Sequence, residues 1–176
     1  MPICSEESRL AVAPDKSAAH PRPGSPSPLC IRAADHADAG NVASCVANSF
    51  THYIERIGKP PQPMLRNYND VITDHPVYLA LVDEKLAGVL VLGQGVDGFS
   101  LDIVAVDPRF QGRGIGKQLV LFAEARARAC GFDSIHLFTN AVMLENQAFY
   151  SRLGYTQYAR RNEEGYDRVF FRKPLA

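Results

Sequence analysis

The stretch Val104-Ala-Val-Asp-Pro-Arg-Phe-Gln-Gly-Arg-Gly-Ile-Gly-Lys-Gln-Leu119 decides the fold, because it leads from an apolar strand through a glycine-rich turn into a helix. Glycines at 112, 114 and 116 have no Cβ, so backbone N–H groups there can approach a phosphate oxygen closely. The N-terminus of the helix adds unpaired donors and a partial positive charge. Arg113 and Lys117 add cationic side chains. The stretch therefore predicts an anion-binding cradle.

Two nucleotide-binding loops do not fit this turn. The Walker A loop reads G-x-x-x-x-G-K-[ST], but Gly112 and Gly116 lie too close together, and Gln118 stands where the magnesium-binding hydroxyl belongs. A dinucleotide fingerprint G-x-G-x-x-G that starts at Gly112 places Lys117 at its third glycine. The following strand also ends without the acidic residue that binds a ribose. Both interpretations are therefore weak.

Hydrophobic periodicity on either side of the cradle predicts alternating strands and helices. The predicted strands are Leu29–Arg32, Val77–Val82, Leu86–Leu92, Phe99–Val106, Ser134–Thr139, Tyr155–Tyr158 and Arg168–Arg172. The predicted helices run from Asp35 to about Ile57 and over Met64–Ile72, Gly114–Cys130 and Met143–Leu153. Asp83–Lys85 is predicted as a hairpin turn and Gly93–Gly98 as a loop. The strand–helix–strand order at 99–139 predicts an α/β fold whose mixed sheet contains one parallel pair.

Length and charge limit the class of protein. The 176 residues suit one domain with a substantial apolar core. The formal net charge is +0, so no overall field attracts nucleic acid or acidic lipid. No apolar run approaches the length of a membrane span. We expect neither nucleic acid nor a membrane as a partner.

The cysteines and the N-terminus bear on compartment and domain limits. Cys4, Cys30, Cys45 and Cys130 form no C-x-x-C pair or zinc-type spacing, so we expect no metal and interpret them as reduced, mostly buried thiols. Reduced thiols and the lack of a secretory apolar region favour the cytoplasm.

Residues 1–28 are rich in Pro, Ser and Ala and predict a flexible tail, which leaves 29–176 as the folded domain.

Residues 29–174 resemble the GNAT superfamily of N-acetyltransferases. The cradle matches that family's acetyl-CoA loop, Q/R-x-x-G-x-G/A, and Asn146-Gln-Ala-Phe-Tyr-Ser-Arg-Leu-Gly-Tyr155 is similar to its second motif, which ends F/Y-Y-x-x-x-G-F/Y. The terminal Gly165–Pro174 is similar to its last strand. The resemblance implies a single domain with a mostly antiparallel sheet, helices on both faces, and a parallel strand pair that splays around the coenzyme. It also implies direct transfer of an acetyl group from acetyl-CoA, a co-substrate, to a primary amine of a small molecule or peptide.

By this resemblance acetyl-CoA lies along the first motif. The backbone of Val104 and Val106 would pair with the pantetheine arm, and the amides of the cradle would bind the pyrophosphate. Asn140 and Asn146 flank the same gap, where relatives use an Asn to hold the cofactor or a water; capping of nearby backbone is an equal alternative. The expected cofactor-binding residues are Val104, Ala105, Val106, Gln111, Gly112, Arg113, Gly114, Ile115, Gly116, Lys117, Asn140 and Asn146.

Tyr150 is the expected general acid. A phenol beside the sulfur can protonate the departing thiolate, and the family often places a Tyr at this point of the helix. The alternative is a half-buried aromatic residue that anchors the helix.

Asp102 is the expected base that takes the proton from the ammonium of the acceptor. Strand alternation predicts Ser100, Asp102 and Val104 on one face beside the gap. A carboxylate within an apolar strand is costly unless it is paired, so pairing with an Arg is an equal alternative. Glu145 is a second, weaker candidate. Many relatives carry Asn where Ile103 stands here, so the details of this strand need not transfer.

The acceptor is expected to bind between segment 50–75 and a loop at 158–167. Plausible lining residues, each of which has solvation as its alternative, are Tyr53, Arg56, Tyr68, Asp97, Arg161, Glu163 and Glu164. His75 and His136 are interpreted as structural.

Other functions stay open. One is a non-catalytic acyl-CoA-binding or sensor protein of the same fold, and another is a phosphate-binding module for a different nucleotide. Acyl groups longer than acetyl also remain open. Homodimers are common in the family, but nothing in the sequence defines a symmetric interface.

Overall fold

The strands and helices follow the predicted order. The computed structural model describes residues 28–96 and 98–175, so the predicted tail apart from Pro28, and the lining candidate Asp97, lie outside the described residues. The strands are β1 Cys30–Ala33, β2 Val77–Val82, β3 Lys85–Gly95, β4 Gly98–Val106, β5 Ser134–Asn140, β6 Thr156–Glu163 and β7 Tyr166–Pro174. The helices are α1 Ala39–Phe50, α2 Ile54–Ile57, α3 Tyr68–Asp74, α4 Ile115–Ala129 and α5 Leu144–Arg152. Short 3₁₀ turns cover His36–Asp38, Thr51–Tyr53, Gln62–Leu65 and Pro108–Phe110.

The strands form one seven-stranded sheet in the order β1-β2-β3-β4-β5-β7-β6. Every neighbouring pair is antiparallel except β4 and β5, which confirms the predicted mixed sheet with one parallel pair. One apolar cluster joins the sheet to α4 and α5, with Leu119 and Val120 fully buried. A second cluster joins the other face to α1 and α3, with Val42 and Val46 fully buried. Helices therefore cover both faces of the sheet, as expected.

The parallel pair stays together only at its beginning. Phe99 pairs with Ile135 and Ser100 with His136, and no later residue of β4 is paired with β5. From there β4 continues to pair with β3, and β5 continues to pair with β7. The two strands therefore diverge and open a gap between the end of β4 and the end of β5. This splayed pair confirms the predicted fold class.

A β-bulge at Asp102 corrects the predicted alternation along β4. Val91 of β3 pairs with Ile103 and Leu92 with Leu101, which leaves Asp102 as an extra residue. As a result, Leu101 packs in the cluster under α4, whereas Ile103 packs in the cluster under α1. The prediction that Ser100, Asp102 and Val104 share one face is therefore wrong.

Two predicted helices have different limits. The helix expected from Asp35 to Ile57 is interrupted: α1 ends at Phe50, and a 3₁₀ turn separates it from α2. The helix expected over Met64–Ile72 is also two pieces, because Arg66 and Asn67 are extended and the Asn67 side chain caps α3. Apolar spacing alone did not show these breaks.

The hairpins are tighter and longer than predicted. The turn between β2 and β3 has two residues rather than three, Asp83 and Glu84, with φ of 50° and 61°. Such angles suit a two-residue hairpin turn, whose twist matches that of the strands. β3 extends to Gly95 and takes in part of the predicted 93–98 loop. The predicted 158–167 loop is instead mostly strand, because β6 and β7 form a long hairpin with its turn at Glu164 and Gly165.

Candidate functional site

The glycine-rich turn presents the N-terminus of α4. Gly112 and Gly114 have φ of 75° and 78°, a left-handed conformation that residues with a Cβ rarely adopt. Gly114 is the N-cap of α4, and no side chain caps the helix there. The first N–H groups of α4, beginning at Ile115, therefore have no partner within the helix. The backbone thus has the free amides that the predicted anion cradle requires, and anion binding there stays a prediction.

Two side chains hold this turn against the end of β4. Gln111 donates from Nε2 to the Val106 carbonyl at 3.1 Å. Asp107, which is buried, accepts from the Arg109 backbone N–H at 2.9 Å and from the Arg109 guanidinium at 2.9 and 3.0 Å. The Arg109 guanidinium is also the main reason that the pKa of Asp107 is lowered. The shape of the cradle thus depends on a buried, ionised carboxylate.

A groove of about 620 Å³ runs from the cradle between β4 and α5. Most of the expected cofactor residues line it, namely Val104, Ala105, Val106, Gln111, Gly112, Gly114, Ile115, Gly116, Lys117 and Asn146. Gly116 faces both β4 and α5, since a Cβ there would make ordinary contacts of 3.6 Å with the Phe149 ring and the Val106 side chain. Phe50, at the end of α1, and Tyr53, in the 3₁₀ turn that follows, also line the groove.

Two expected cofactor residues lie elsewhere. Arg113 does not line the groove, and its guanidinium lies 5.3 Å from the centre of the Phe110 ring. Asn140 lines a neighbouring cavity, and its Oδ1 accepts from the Val142 N–H at 3.1 Å. For Asn140 the structure therefore supplies the capping role that the sequence left open.

The neighbouring cavity, here called the chamber, opens where β4 and β5 separate. Its volume is about 80 Å³. Its walls come from the end of α1, segment 57–66, β4, β5, α5 and β7. Its apolar lining consists of Phe50, Ile57, Pro61, Pro63, Leu101, Ile103, Val104, Phe138, Met143 and Tyr150. Asp102, Arg66 and Arg168 are the charged side chains in the same lining.

Tyr150 lies where the groove and the chamber meet, since it lines both. Phe50, Val104 and Asn146 are also common to both cavities. The Tyr150 ring is buried beside Tyr155 and Phe171, with centroid separations of 5.8 and 6.4 Å. Burial, with a smaller contribution from nearby Tyr53, raises its pKa above the ordinary range. The phenol is therefore protonated at neutral pH, as a general acid must be.

Asp102 faces the chamber but has no Arg or Lys partner among the described residues. Its Oδ1 accepts from the Ser100 hydroxyl at 2.6 Å, and its Oδ2 lies 4.0 Å from His75 Nδ1. Gly93 makes room for this group, because a Cβ there would lie 2.9 Å from both carboxylate oxygens. The alternative of an Arg partner is therefore wrong. The ionisable side chain beside Asp102 is instead that of His75, interpreted from sequence as structural.

Sequence reasoning missed Arg168 and Gln62, which link β7 to the far side of the chamber. Arg168 is nearly buried and donates to Glu163 Oε2 at 2.7 Å, to Glu164 Oε2 at 3.0 Å and to the Gln62 side-chain oxygen. Tyr166 adds a hydrogen bond to the Pro60 carbonyl at 2.7 Å. No local pattern indicates these contacts, since Arg168 and Gln62 lie 106 residues apart.

The predicted acceptor-lining residues are spread over several places. Tyr53 lines the groove rather than the chamber, and Tyr68 is a core residue that donates to the Pro63 carbonyl at 2.8 Å. Arg56 pairs with Glu145 at 2.7 Å on the surface. Arg161 lies 4.2 Å from the centre of the Phe170 ring, outside the chamber lining. Glu163 and Glu164 are not in the chamber lining but bind residues that are: both accept from Arg168, and Glu164 also accepts from the Gln62 amide.

Two further features are absent from the described ranges, a metal-binding cluster and a membrane-spanning helix. Across residues 28–96 and 98–175, no cluster of three or more His, Cys, Asp or Glu side chains is arranged to hold a metal ion. No helix in these ranges combines the length and the hydropathy needed to cross a bilayer.

The split parallel pair, the cradle and the two joined cavities define an acetyltransferase fold. The model of the Acetyltransferase (GNAT) family matches residues 46–155, which is 110 of the 176 residues. The chain therefore belongs to the GNAT acetyltransferase family. No curated protein sequence matches it.

Solved structures agree on the fold. The PaiA N-acetyltransferase of Thermoplasma acidophilum in complex with coenzyme A has a TM-score of 0.69 at 18% identity, with 84% of this chain and 99% of that chain covered. The ribosomal-protein-S18-alanine N-acetyltransferase of Escherichia coli has a TM-score of 0.67 at 16% identity, over 84% and 94%. A GNAT family acetyltransferase from Elizabethkingia anophelis with acetyl-CoA bound has a TM-score of 0.66 at 16% identity, over 84% and 98%.

Proposed function

We propose that the protein transfers an acetyl group from acetyl-CoA to a primary amine of a small molecule or peptide, without a metal ion, in the cytoplasm. The observation that carries this proposal is the position of Tyr150 between the groove and the chamber. A thioester in the groove and an amine in the chamber would meet beside this phenol. Acetyl-CoA or coenzyme A in solved relatives of the same fold supports the choice of co-substrate.

The groove suits the chemistry of coenzyme A. Amides at the N-terminus of α4 favour a pyrophosphate, and Lys117 adds a positive charge in the same lining. The edge of β4 that turns away from β5 has backbone groups free of the β4–β5 ladder, so the amide-bearing pantetheine arm can extend the sheet there. Asn146 lies along the same path and supplies an amide.

The proposed reaction needs a base and an acid. Asp102 accepts a proton from the acceptor ammonium, and the freed nitrogen lone pair attacks the acetyl carbon. As the C–S bond breaks, Tyr150 donates its phenolic proton to the thiolate, which leaves as coenzyme A thiol. As the tetrahedral intermediate collapses, the attacking nitrogen loses its second proton to solvent. A proton from solvent then restores Tyr150, and Asp102 returns its proton to solvent. The net products are an amide, coenzyme A and one proton.

A thiol-release assay tests this function. Purified protein with acetyl-CoA and a panel of primary amines should release coenzyme A thiol in proportion to amide formed. Calorimetry with coenzyme A, ATP and NAD should give tight binding of coenzyme A alone. Coenzyme A binding without turnover of any amine would identify a non-catalytic acyl-CoA-binding protein. Preferred binding of ATP or NAD would overturn the proposal.

A further inference from the structure

The charged side chains of the chamber point to the chemical class of the acceptor. Three of them line the chamber: Asp102 on β4, Arg66 after the 3₁₀ turn at Gln62–Leu65, and Arg168 on β7. What each can offer a ligand depends on whether its charge is already compensated by protein groups. The following argument rests on the proposed amine acetylation at this site.

The charge of Arg168 is compensated within the protein. Its guanidinium donates to Glu163 and Glu164, at 2.7 and 3.0 Å, and to the side-chain oxygen of Gln62. Only 10% of the Arg168 side chain is exposed. Because these donors are engaged, Arg168 shapes the wall of the chamber and has little remaining capacity for a ligand anion.

Arg66 is the opposite case. It is exposed, and it has no hydrogen bond, ion pair or ring contact with any residue in 28–96 or 98–175. Arg66 does contribute weakly to the environment of one carboxylate, Glu164. The pKa of Glu164 is lowered first by its hydrogen bond with Gln62, then by Arg168, and least by the charge of Arg66. Arg66 therefore lines the chamber, and no residue in 28–96 or 98–175 occupies the donors of its guanidinium. Such a group binds a carboxylate through two parallel hydrogen bonds.

Asp102 supplies the complementary charge. It accepts one hydrogen bond from Ser100 and lies 4.0 Å from His75, but no Arg or Lys of the described residues pairs with it. Among the described residues, the chamber therefore carries one carboxylate on β4 that has no Arg or Lys partner and one guanidinium on segment 57–66 that has no hydrogen bond or ion pair. A ligand with two ammonium groups would place one of them against Arg66. A ligand with one ammonium and one carboxylate matches both charges.

We propose that the acceptor is a small amino carboxylate, whose amine is held by Asp102 and whose carboxylate is bound by Arg66. The chamber volume of about 80 Å³ suits a small molecule. Apolar walls at Phe50, Ile57 and Phe138 accommodate the aliphatic part between the two charged ends. Arg66 in this assignment sets specificity, and it takes no part in bond making.

Matched pairs of acceptors test the proposal. Glycine, β-alanine, 4-aminobutyrate and leucine are compared in the thiol-release assay with the amines that lack their carboxylate: methylamine, ethylamine, propylamine and 3-methylbutylamine. A charged hydrogen-bonded pair is expected to make kcat/KM for the best amino carboxylate roughly tenfold to a hundredfold higher than for its amine. Equal efficiency with the plain amine would overturn the inference and leave the proposed acetyltransferase intact.

Variants of Arg66 separate recognition from folding. Arg66→Gln should make kcat/KM for the amino carboxylate about equal to kcat/KM for the matching plain amine. The change should come from a higher KM for the amino carboxylate, with the KM for acetyl-CoA unchanged. Arg66→Glu should instead favour a diamine such as 1,3-diaminopropane. Arg160→Gln is the matched control, because Arg160 is exposed on β6 and pairs with Asp167 away from the chamber lining. A preference that survives in Arg66→Gln contradicts the assignment.

Calorimetry gives a readout that does not depend on turnover. With coenzyme A present, the amino carboxylates should bind wild-type protein and bind Arg66→Gln roughly tenfold more weakly or worse. If no amine of any kind releases thiol but this binding difference is seen, the proposed function fails and the ligand class stands. If amino carboxylates neither bind nor react while plain amines do, the ligand class is wrong.

Discussion

The hydroxyl of Tyr53 donates a hydrogen bond to Oδ1 of Asn146 at 3.2 Å and joins two segments that lie 93 residues apart. Tyr53 follows α1 and Asn146 lies on α5, so the bond crosses the groove beside Tyr150. Burial, followed by the charge of Glu145, raises the pKa of Tyr53 to about 12, so the phenol remains a donor at neutral pH. This bond orients the Asn146 amide at the junction of the groove and the chamber.

A double-mutant cycle measures that coupling. Tyr53→Phe removes the hydroxyl but keeps the ring, and we expect kcat/KM for acetyl-CoA to fall about fivefold to tenfold, as for one neutral hydrogen bond. Asn146→Ala should lower it by more, and the double variant should be little worse than Asn146→Ala alone. Strictly multiplicative losses would show that the two residues act independently.

Removal of the Tyr150 hydroxyl should affect chemistry and spare binding. Tyr150→Phe is expected to lower kcat by about a hundredfold or more, the usual size of general-acid catalysis, with the KM for acetyl-CoA close to wild type. Steady-state kinetics at saturating acceptor measure this. Tyr158→Phe is the control, since Tyr158 is exposed on β6 and should behave as wild type. Unchanged turnover in Tyr150→Phe would remove this residue from the mechanism.

The pH profile of the wild-type protein tests the protonation state of the same phenol. Burial raises the pKa of Tyr150 above its ordinary value, so the acid form persists to higher pH than in a free phenol. We expect kcat at saturating substrates to show no decline between about pH 8 and pH 10, the region where an ordinary Tyr begins to ionise. A fall in kcat in this interval that is absent in Tyr150→Phe would contradict the raised pKa.

The cradle depends on the left-handed backbone of Gly114. With φ of 78°, an Ala there is strained by roughly 1 kcal/mol even though no atom lies near its Cβ. Gly114→Ala should therefore lose stability and also raise the KM for acetyl-CoA, because relief of the strain displaces the first amides of α4. Gly131→Ala, at the other end of α4 with φ of 80°, should lose similar stability without a change in KM. Urea unfolding and steady-state kinetics give the two quantities.

Asp107 makes the stability of the cradle dependent on pH. The pKa of Asp107 is lowered in the folded state, mainly by the Arg109 side chain. Its contribution to the free energy of unfolding is therefore fully present above the pKa that Asp107 has in the unfolded chain, and it is lost as the pH falls through the pKa in the folded protein. Asp107→Asn should cost about 1 kcal/mol of unfolding free energy at pH 7, the typical value of a cap. The difference from wild type should shrink below about pH 4. Asp167→Asn, at an exposed pair with Arg160, should cost less because solvent screens it.

Several features were predictable because their causes are local in the chain. Alternate glycines between a strand and a helix predict the cradle, and the left-handed angles at Gly112 and Gly114 agree with it. Apolar periodicity predicted the order of strands and helices, although it merged α1 with α2 and missed the break before α3. The position of Tyr150 on α5 followed from its motif.

Residues of the cofactor groove were easier to predict from the sequence than residues of the acceptor chamber. Most expected cofactor residues line the groove, because they are consecutive along one strand, turn and helix. The exceptions are Arg113 and Asn140, whose side chains contact residues two or three positions away in the chain, Phe110 and Val142 respectively. Acceptor residues were harder, since the chamber draws its walls from segments distant in sequence.

The sequence by itself determined the strand–turn–helix cradle and the mixed sheet with one parallel pair, because each depends on residue spacing within one or two neighbouring elements. Its two motifs also carried the resemblance to the family, which implied that the parallel pair is splayed. Tertiary structure alone decided where the charges of the chamber lie. The bulge at Asp102 reverses the side-chain alternation of β4, and it arises from pairing with β3. Arg168 forms ion pairs with two glutamates and a hydrogen bond with Gln62, whereas Arg66 has no such partner within residues 28–96 and 98–175. The packing of β7 against segment 57–66 makes this difference.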